Sequence, residues 1–292
     1  VYTGVLCETE GLAEKLSSLE GVDRIYSYEY PYSGSGKEKG KKWIQLLPYV
    51  FRSDTKLTID SRSDGVMVRN TDELMYVLSE GYRGEVVSDS CLYTMNSEAV
   101  KTLLSMGVTR AVYPLELEFK ELRERGFAEL SELVLYGRSP LMISANCVYK
   151  DSTKKCAGKE QEGDGSRRED ASNISNVSGA GKGQFYVNLT DRKRTDFPVL
   201  CDCRYCCNVI YNSVPTSLHK AMERVRELSP ASVRLDFTTE DFESAEKIIK
   251  YYVNLIEAFD EGERSGAFGA AGIEIPGELE SFTYGHFRNG VE

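Results

Sequence analysis

Short β-branched or aromatic runs alternate with amphipathic stretches almost from the first residue, the signature of repeated βα units that build a parallel sheet. The strand-like runs fall at 2–6, 24–28, 43–48, 65–68, 84–88, 110–114, 133–136 and 232–237. Between them apolar residues recur at intervals of three and four: Leu12, Leu16 and Leu19; Leu74, Val77 and Leu78; Val100, Leu103 and Leu104. Thr71 before Asp72 and Glu73, and Asn96 before Glu98, predict helix starts, while Gly81, Gly107 and Gly126 predict stops. The stretch 33–42 is rich in Gly and Lys and predicts only a turn or a stunted helix. Eight strands with intervening helices predict an α/β fold, a TIM-like (β/α)8 barrel; doubly wound open sheets share the same local pattern.

After the seventh strand the pattern breaks until the helical stretch that starts at 217, far beyond an ordinary βα connection. The predicted organisation is a barrel over 1–259 that includes a long cysteine-containing insertion at about 139–215, followed by an irregular tail over 260–292. The middle of the insertion, 158–183, is dominated by Gly, Ser and charged residues and reads as a flexible excursion. Order resumes at Gln184 with Phe185, Tyr186, Val187 and Leu189, a predicted hairpin arm. The aromatics Phe282, Tyr284 and Phe287 imply that the tail docks on the barrel.

Composition narrows the functional classes. With 292 residues and 41% hydrophobic content the chain can bury a large core. Its formal net charge of -10 opposes nonspecific attachment to nucleic acid or to an anionic membrane, so a nucleic-acid substrate would need a local basic patch or another domain. Val1 opens a strand-like run without an initiator methionine, which predicts a fragment of a longer polypeptide whose N-terminal domains would be its partners. Neither a secretory signal nor a membrane-spanning run is present, which predicts a cytoplasmic protein that does not enter the membrane.

The cysteines carry the sharpest signal. Six of the eight fall between 139 and 213: Cys147, Cys156, Cys201, Cys203, Cys206 and Cys207. Cys147-x8-Cys156 and Cys203-x2-Cys206 can be read as two pairs, and a Cys-x2-Cys turn lets two thiolates face one ion or cluster. Tetrahedral zinc and an iron–sulfur cluster both suit such a set, and spacing does not choose between them. Disulfides are the competing reading, which the absence of a secretory signal opposes. Cys7 and Cys91 stand alone and read as small core hydrophobes.

In a barrel the chemistry sits at the carboxyl ends of the strands. Those ends carry Tyr49, Arg52, Arg69, Asn96 and Arg138, a set suited to a planar or carboxylate-bearing ligand because the guanidinium fork matches a carboxylate. The alternative is that these arginines pair with nearby Asp and Glu. Only His219 and His286 are present, and no His-Glu-x-x-His or Gly-x-Ser-x-Gly motif accompanies them. His219 reads as a helix-surface or packing residue, and His286 as the candidate catalytic group.

The chain resembles the U32 peptidase family, the collagenase-like proteins. The resemblance rests on Tyr136-Gly137-Arg138-Ser139-Pro140-Leu141-Met142, on Cys147 and Cys156, on Asp191-Arg192 and Phe197-Pro198-Val199, and on Cys203-Arg204-Tyr205-Cys206 with Ile210-Tyr211-Asn212-Ser213. Phe282-Thr283-Tyr284-Gly285-His286-Phe287 resembles the family's closing motif, and Leu47-Pro48-Tyr49-Val50-Phe51-Arg52 and Gly65-Val66-Met67-Val68-Arg69-Asn70 its upstream barrel. The likeness is to the C-terminal barrel of the long members. It implies a [4Fe-4S] cluster on Cys147, Cys156, Cys203 and Cys206, with Cys201 or Cys207 as alternates and a structural zinc as the alternative occupant. It further implies an iron–sulfur-dependent enzyme, or half of one, acting in hydroxylation of an RNA base or similar ring with a prephenate-like cosubstrate. A peptidase, the family's historical label, is the alternative, and a noncatalytic barrel stapled by its metal is a third reading.

Overall fold

The computed structural model describes residues 2–9, 11–32, 40–52, 55–153, 156, 174–178, 183–265 and 273–290, with backbone alone at 174–178 and 260–265. Most of the stretches read as a stunted helix at 33–42 and as a flexible excursion at 158–183 lie outside the described residues. The chain first lays down β1 (Tyr2–Cys7), β2 (Arg24–Ser27), β3 (Lys42–Leu46), β4 (Gly65–Val68), β5 (Glu85–Ser88), β6 (Arg110–Val112) and β7 (Ser131–Gly137). It continues through β8 (Pro140–Ser144), β9 (Ile174–Ser178), β10 (Gln184–Thr190), β11 (Asp196–Asp202) and β12 (Cys207–Tyr211), then returns in β13 (Thr216–Ser217) and β14 (Ser232–Phe237). The α-helices are α1 (Leu12–Ser17), α2 (Thr71–Ser79), α3 (Ser97–Ser105), α4 (Phe119–Arg125), α5 (Val148–Thr153), α6 (Met222–Leu228) and α7 (Phe242–Ser265).

Two compact units result, one formed by 1–47, 56–137 and 215–292 and the other by 48–55 and 138–214. In the first, β1 pairs in parallel with β14 and β2, and the ladder runs on through β3, β4, β5, β6 and β7 back to β14. This is the closed eight-stranded parallel barrel that the repeating pattern predicts. Alternation along each strand divides the core: Leu6, Tyr26, Ile44, Leu46, Met67, Val87 and Val112 fill the lumen. Their strand neighbours Val5, Leu133, Leu135, Val233, Leu235 and Phe237 pack outward against α1, α6 and α7. Each such buried aliphatic side chain contributes about 1.5–3 kcal/mol relative to exposure.

The helix starts follow ordinary capping chemistry. The Asn70 carboxamide accepts the Glu73 N–H at 2.9 Å and Asn96 accepts that of Ala99 at 2.9 Å. Gly81, Gly107 and Gly126 close their helices at positive φ. The connections from β2 to β3 and from β3 to β4 contain no helix among the described residues. Helix α7 runs to Ser265, past the barrel boundary predicted at 259. Leu279 and Phe287 are buried in the same core as α1, α6 and α7, and Thr283 bridges Thr216, so the tail docks on the barrel.

The second unit is an antiparallel sheet of order β8-β12-β11-β10-β9. The hairpin arm predicted from Gln184 onward is its centre, with β10 and β11 in register from Gln184 opposite Asp202 to Thr190 opposite Asp196. One apolar cluster holds Tyr149, Phe185, Val187, Val199 and Cys201, and another holds Leu200, Val209 and Tyr211. The segment 48–55, read as barrel rim, folds with this unit instead, because Tyr49 packs on the second cluster.

Candidate functional site

The thiols gather in the antiparallel unit. Residues 203–206 form the turn between β11 and β12, which Cys206 closes in the left-handed conformation at φ 48°. Arg204 locks the turn by donating from Nη2 to Asp202 at 2.8 Å, and the Cys203 N–H donates to the Gly183 carbonyl at 2.7 Å. Cys147 precedes α5, and its sulfur accepts the Lys150 N–H at 3.4 Å. Cys147 and Cys203 pack on the cluster that contains Cys201.

All eight cysteines are free thiols, so the disulfide reading is set aside. Burial, and then the charges of Cys147, Cys156, Cys206 and Asp202, push the Cys203 thiol up to about 11. Cys201 is pushed up to about 12 by burial, then by Cys147 and Cys203, while a Tyr149 N–H favours its thiolate. Among the described residues no three His, Cys, Asp or Glu side chains already form a group that could hold a metal ion. The donor types nonetheless suit thiolate coordination: Cys147 and Cys203 share an apolar wall, and an N–H is directed at the Cys147 sulfur. Cys7 is buried in the barrel core and Cys91 donates to the Arg69 carbonyl at 3.0 Å, apart from the group.

The other predicted site residues are dispersed. Arg52 is exposed beside the thiol turn, with Nη2 at 3.4 Å from the Cys206 carbonyl. Arg138 donates to the carbonyls of Asn212 and Ser213, tying the base of the same unit. Tyr49 is a packing residue and Asn96 a helix cap. Arg69 lies in the barrel, buried, donating to Glu8 at 2.7 Å, to Asp89 at 3.2 Å and to the Tyr28 hydroxyl at 2.6 Å. His286 is exposed, with Nδ1 at 2.8 Å from the Gly290 carbonyl, and no carboxylate or nucleophile accompanies it in that turn. His219 is buried, bonded through Nδ1 to Ser217 Oγ at 2.7 Å, and burial lowers it to about 4, so packing is its role.

The barrel itself holds a charged network that the sequence reading passed over. Arg234, on β14, reaches Asp236 at 2.6 Å, Glu132 at 3.1 Å and Asp89 at 3.2 Å from a fully buried position. Glu132 also accepts from the Tyr26 hydroxyl at 2.8 Å and from Ser232 Oγ at 2.9 Å. Gly4 lies opposite Arg234 in register, and a Cβ there would stand 2.9 Å from the Tyr26 ring. The missing side chain makes room for the network. Burial works against ionisation of Asp89, but Arg234 and Arg69 hold it below the usual carboxylate range. Burial dominates at Asp236 and pushes it up to about 6, even beside Arg234. At the carboxyl ends of β1 and β2 a cleft of about 80 Å³ opens between Glu8, Glu14, Glu29, Tyr28 and Tyr30. Among the described residues its charged lining is Glu8, Glu14 and Glu29, of which Glu8 is already paired with Arg69.

No family model, curated protein or solved structure matches this chain. The residues therefore carry the functional reading unaided. Arg234 and Asp236 did leave a signal in the sequence: Val233-Arg234-Leu235-Asp236-Phe237 alternates apolar with charged residues. In a central barrel strand both faces are buried, so the charged face must find partners inside the lumen.

Proposed function

We propose that this chain is an iron–sulfur protein of the U32 type, acting as an enzyme or half-enzyme in hydroxylation of an RNA base or similar ring. The observation that supports the reading is that Cys147, Cys156, Cys203 and Cys206 all belong to the antiparallel unit, with Cys147 and Cys203 packed on one apolar cluster. Those four would hold a [4Fe-4S] cluster, with Cys201 or Cys207 as alternates. When bound, such a cluster supplies one-electron chemistry. The chain's own residues prepare its surroundings. Tyr149, Phe185 and Val199 give Cys147 and Cys203 an apolar wall, and the Lys150 N–H supports the charge on Cys147. Arg52, exposed beside the Cys206 carbonyl, is the arginine best placed to take the carboxylate of an acidic cosubstrate.

A noncatalytic, metal-stapled module is the second reading. The engagement of Arg69 by Glu8 and Asp89, which removes one of the three proposed substrate arginines, favours it. Protein purified without air and assayed for iron and acid-labile sulfide separates these readings from bare thiols. Iron and sulfide near four per chain support the cluster, zinc alone supports the staple, and neither metal with intact cysteines refutes both.

A further inference from the structure

The formal charge of -10 is distributed unevenly along the chain. The antiparallel unit holds thirteen Lys and Arg against ten Asp and Glu, or +3, which leaves twenty-three against thirty-six, or -13, on the barrel unit. Within the basic unit, Arg192-Lys193-Arg194 forms the tip of the hairpin between β10 and β11, and all three residues are exposed. None of the three side chains forms an ion pair with a described residue.

The acids beside them in sequence are used inside the loop. Asp191 Oδ1 accepts the N–H groups of Lys193 at 2.7 Å and Thr195 at 2.9 Å. Asp196 Oδ1 accepts the Thr190 hydroxyl at 2.6 Å. Backbone bonds from the Asp191 N–H to Thr195 and from the Arg194 N–H to Asp191, both 3.0 Å, close the turn. Arg194 is held there at φ 63°. A non-glycine residue costs energy in that conformation, and the closed bonding around it fixes the turn. The result is a rigid tip that presents two guanidinium forks and an ammonium to solvent.

We propose that this tip is a phosphate-contact site for a nucleic-acid substrate; it rests on the reading of an RNA substrate and supplies the local basic patch that an acidic chain needs. Guanidinium forks match phosphate oxygens, and the excess of positive charge on this unit attracts a polyanion that the acidic barrel unit repels. The hairpin also fixes where that contact lies relative to the thiols. Six residue steps of β10 separate Thr190 from Gln184, so the tip stands about 20 Å from the end where Cys203 bonds to Gly183.

The test is fluorescence anisotropy of the full chain with a fluorescein-labelled 20-nucleotide oligouridylate across a salt series. Removing three phosphate contacts lowers the slope of log K against log salt by about 2 and affinity at 0.1 M salt on the order of 100-fold. The triple variant Arg192→Ala, Lys193→Ala, Arg194→Ala is expected to show both losses with an unchanged melting temperature. A control triple variant on the barrel unit, Lys101→Ala, Arg123→Ala, Lys247→Ala, removes the same charge and is expected to bind as the parent does. Equal loss in the two triples, or no binding by the parent at low salt, overturns the proposal. So does equal competition by a 20-residue polyglutamate, which would mark a general polyanion surface. Iron and sulfide assayed on the same samples report separately on the cluster, so failure of one reading is not mistaken for failure of the other.

Discussion

Replacing Arg234 by Met tests whether the charged network organises the barrel interior. The substitution keeps most of the side-chain volume and removes a guanidinium that contacts Asp89, Glu132 and Asp236 at 2.6–3.2 Å. Three buried carboxylates then face one another with Arg69 still beside Asp89. Charge-assisted hydrogen bonds contribute roughly 1.5–3 kcal/mol each, offset by the recovered cost of burying the guanidinium. Breaking a buried ion pair from one side costs about 3–5 kcal/mol, and that is the expected loss at pH 7.5. Carboxylates left without a cation rise above their unfolded pKa. Stability tied to such groups is present at low pH and is lost as pH rises through the folded value. Between pH 7.5 and 5.5 each carboxylate pushed above that window therefore restores about 2.7 kcal/mol to the variant. In the parent Asp236 restores less than about 1 kcal/mol over the same range, because it titrates only near 6, and Glu73 adds the same pH dependence to parent and variant, so the deficit between the two is the quantity read. Urea denaturation at pH 7.5, 6.5 and 5.5 measures both quantities. A deficit under about 1 kcal/mol at pH 7.5, or one that does not shrink on acidification, would show that the network is not what holds the lumen together.

Other residues give independent checks. Glu73 accepts the Arg69 N–H at 2.7 Å and is pushed up to about 8, chiefly by burial, so its contribution to stability is lost as pH rises from the usual carboxylate range through 8. Glu73→Gln is expected to flatten the pH dependence between 5 and 8.5 and to exceed the parent by about 1–3 kcal/mol at pH 8.5; an unchanged slope in thermal melts would contradict this. Gly137 sits at φ 152°, and an added Cβ would meet Asp236 Cβ at 2.7 Å and its carbonyl oxygen at 3.0 Å. Gly137→Ala is accordingly expected to cost at least about 2 kcal/mol in denaturant titration, and a neutral result would mean that β7 and β14 can part locally. Cys147→Ser and Cys203→Ser are each expected to lose the iron and sulfide of anaerobically purified protein, whereas Cys7→Ser and Cys91→Ser retain them. Loss from all four variants alike would signal misfolding, to be checked by circular dichroism.

The barrel was legible in the sequence because its signal is local. Strand runs, apolar residues spaced by three and four, and glycine stops each depend on near neighbours in the chain, and β1 to β7 and β14 lie where those patterns fall. The paired cysteines were visible for the same reason: Cys203-x2-Cys206 sets a turn by itself. What the sequence left open was which distant residues meet. It left open whether Arg69 takes a ligand or pairs with acids, and only the assembled barrel brings Glu8 and Asp89 to it from the ends of β1 and β5. It offered Tyr49 and Asn96 as ligand contacts, and only packing assigns one to a hydrophobic cluster and the other to a helix cap. Arg234 and Asp236 gain meaning only inside a lumen where a charge must be paired, because no property of β14 alone distinguishes a buried face from a wet one. Local pattern determined the elements; long-range pairing in a low-dielectric interior decided which charges are structural.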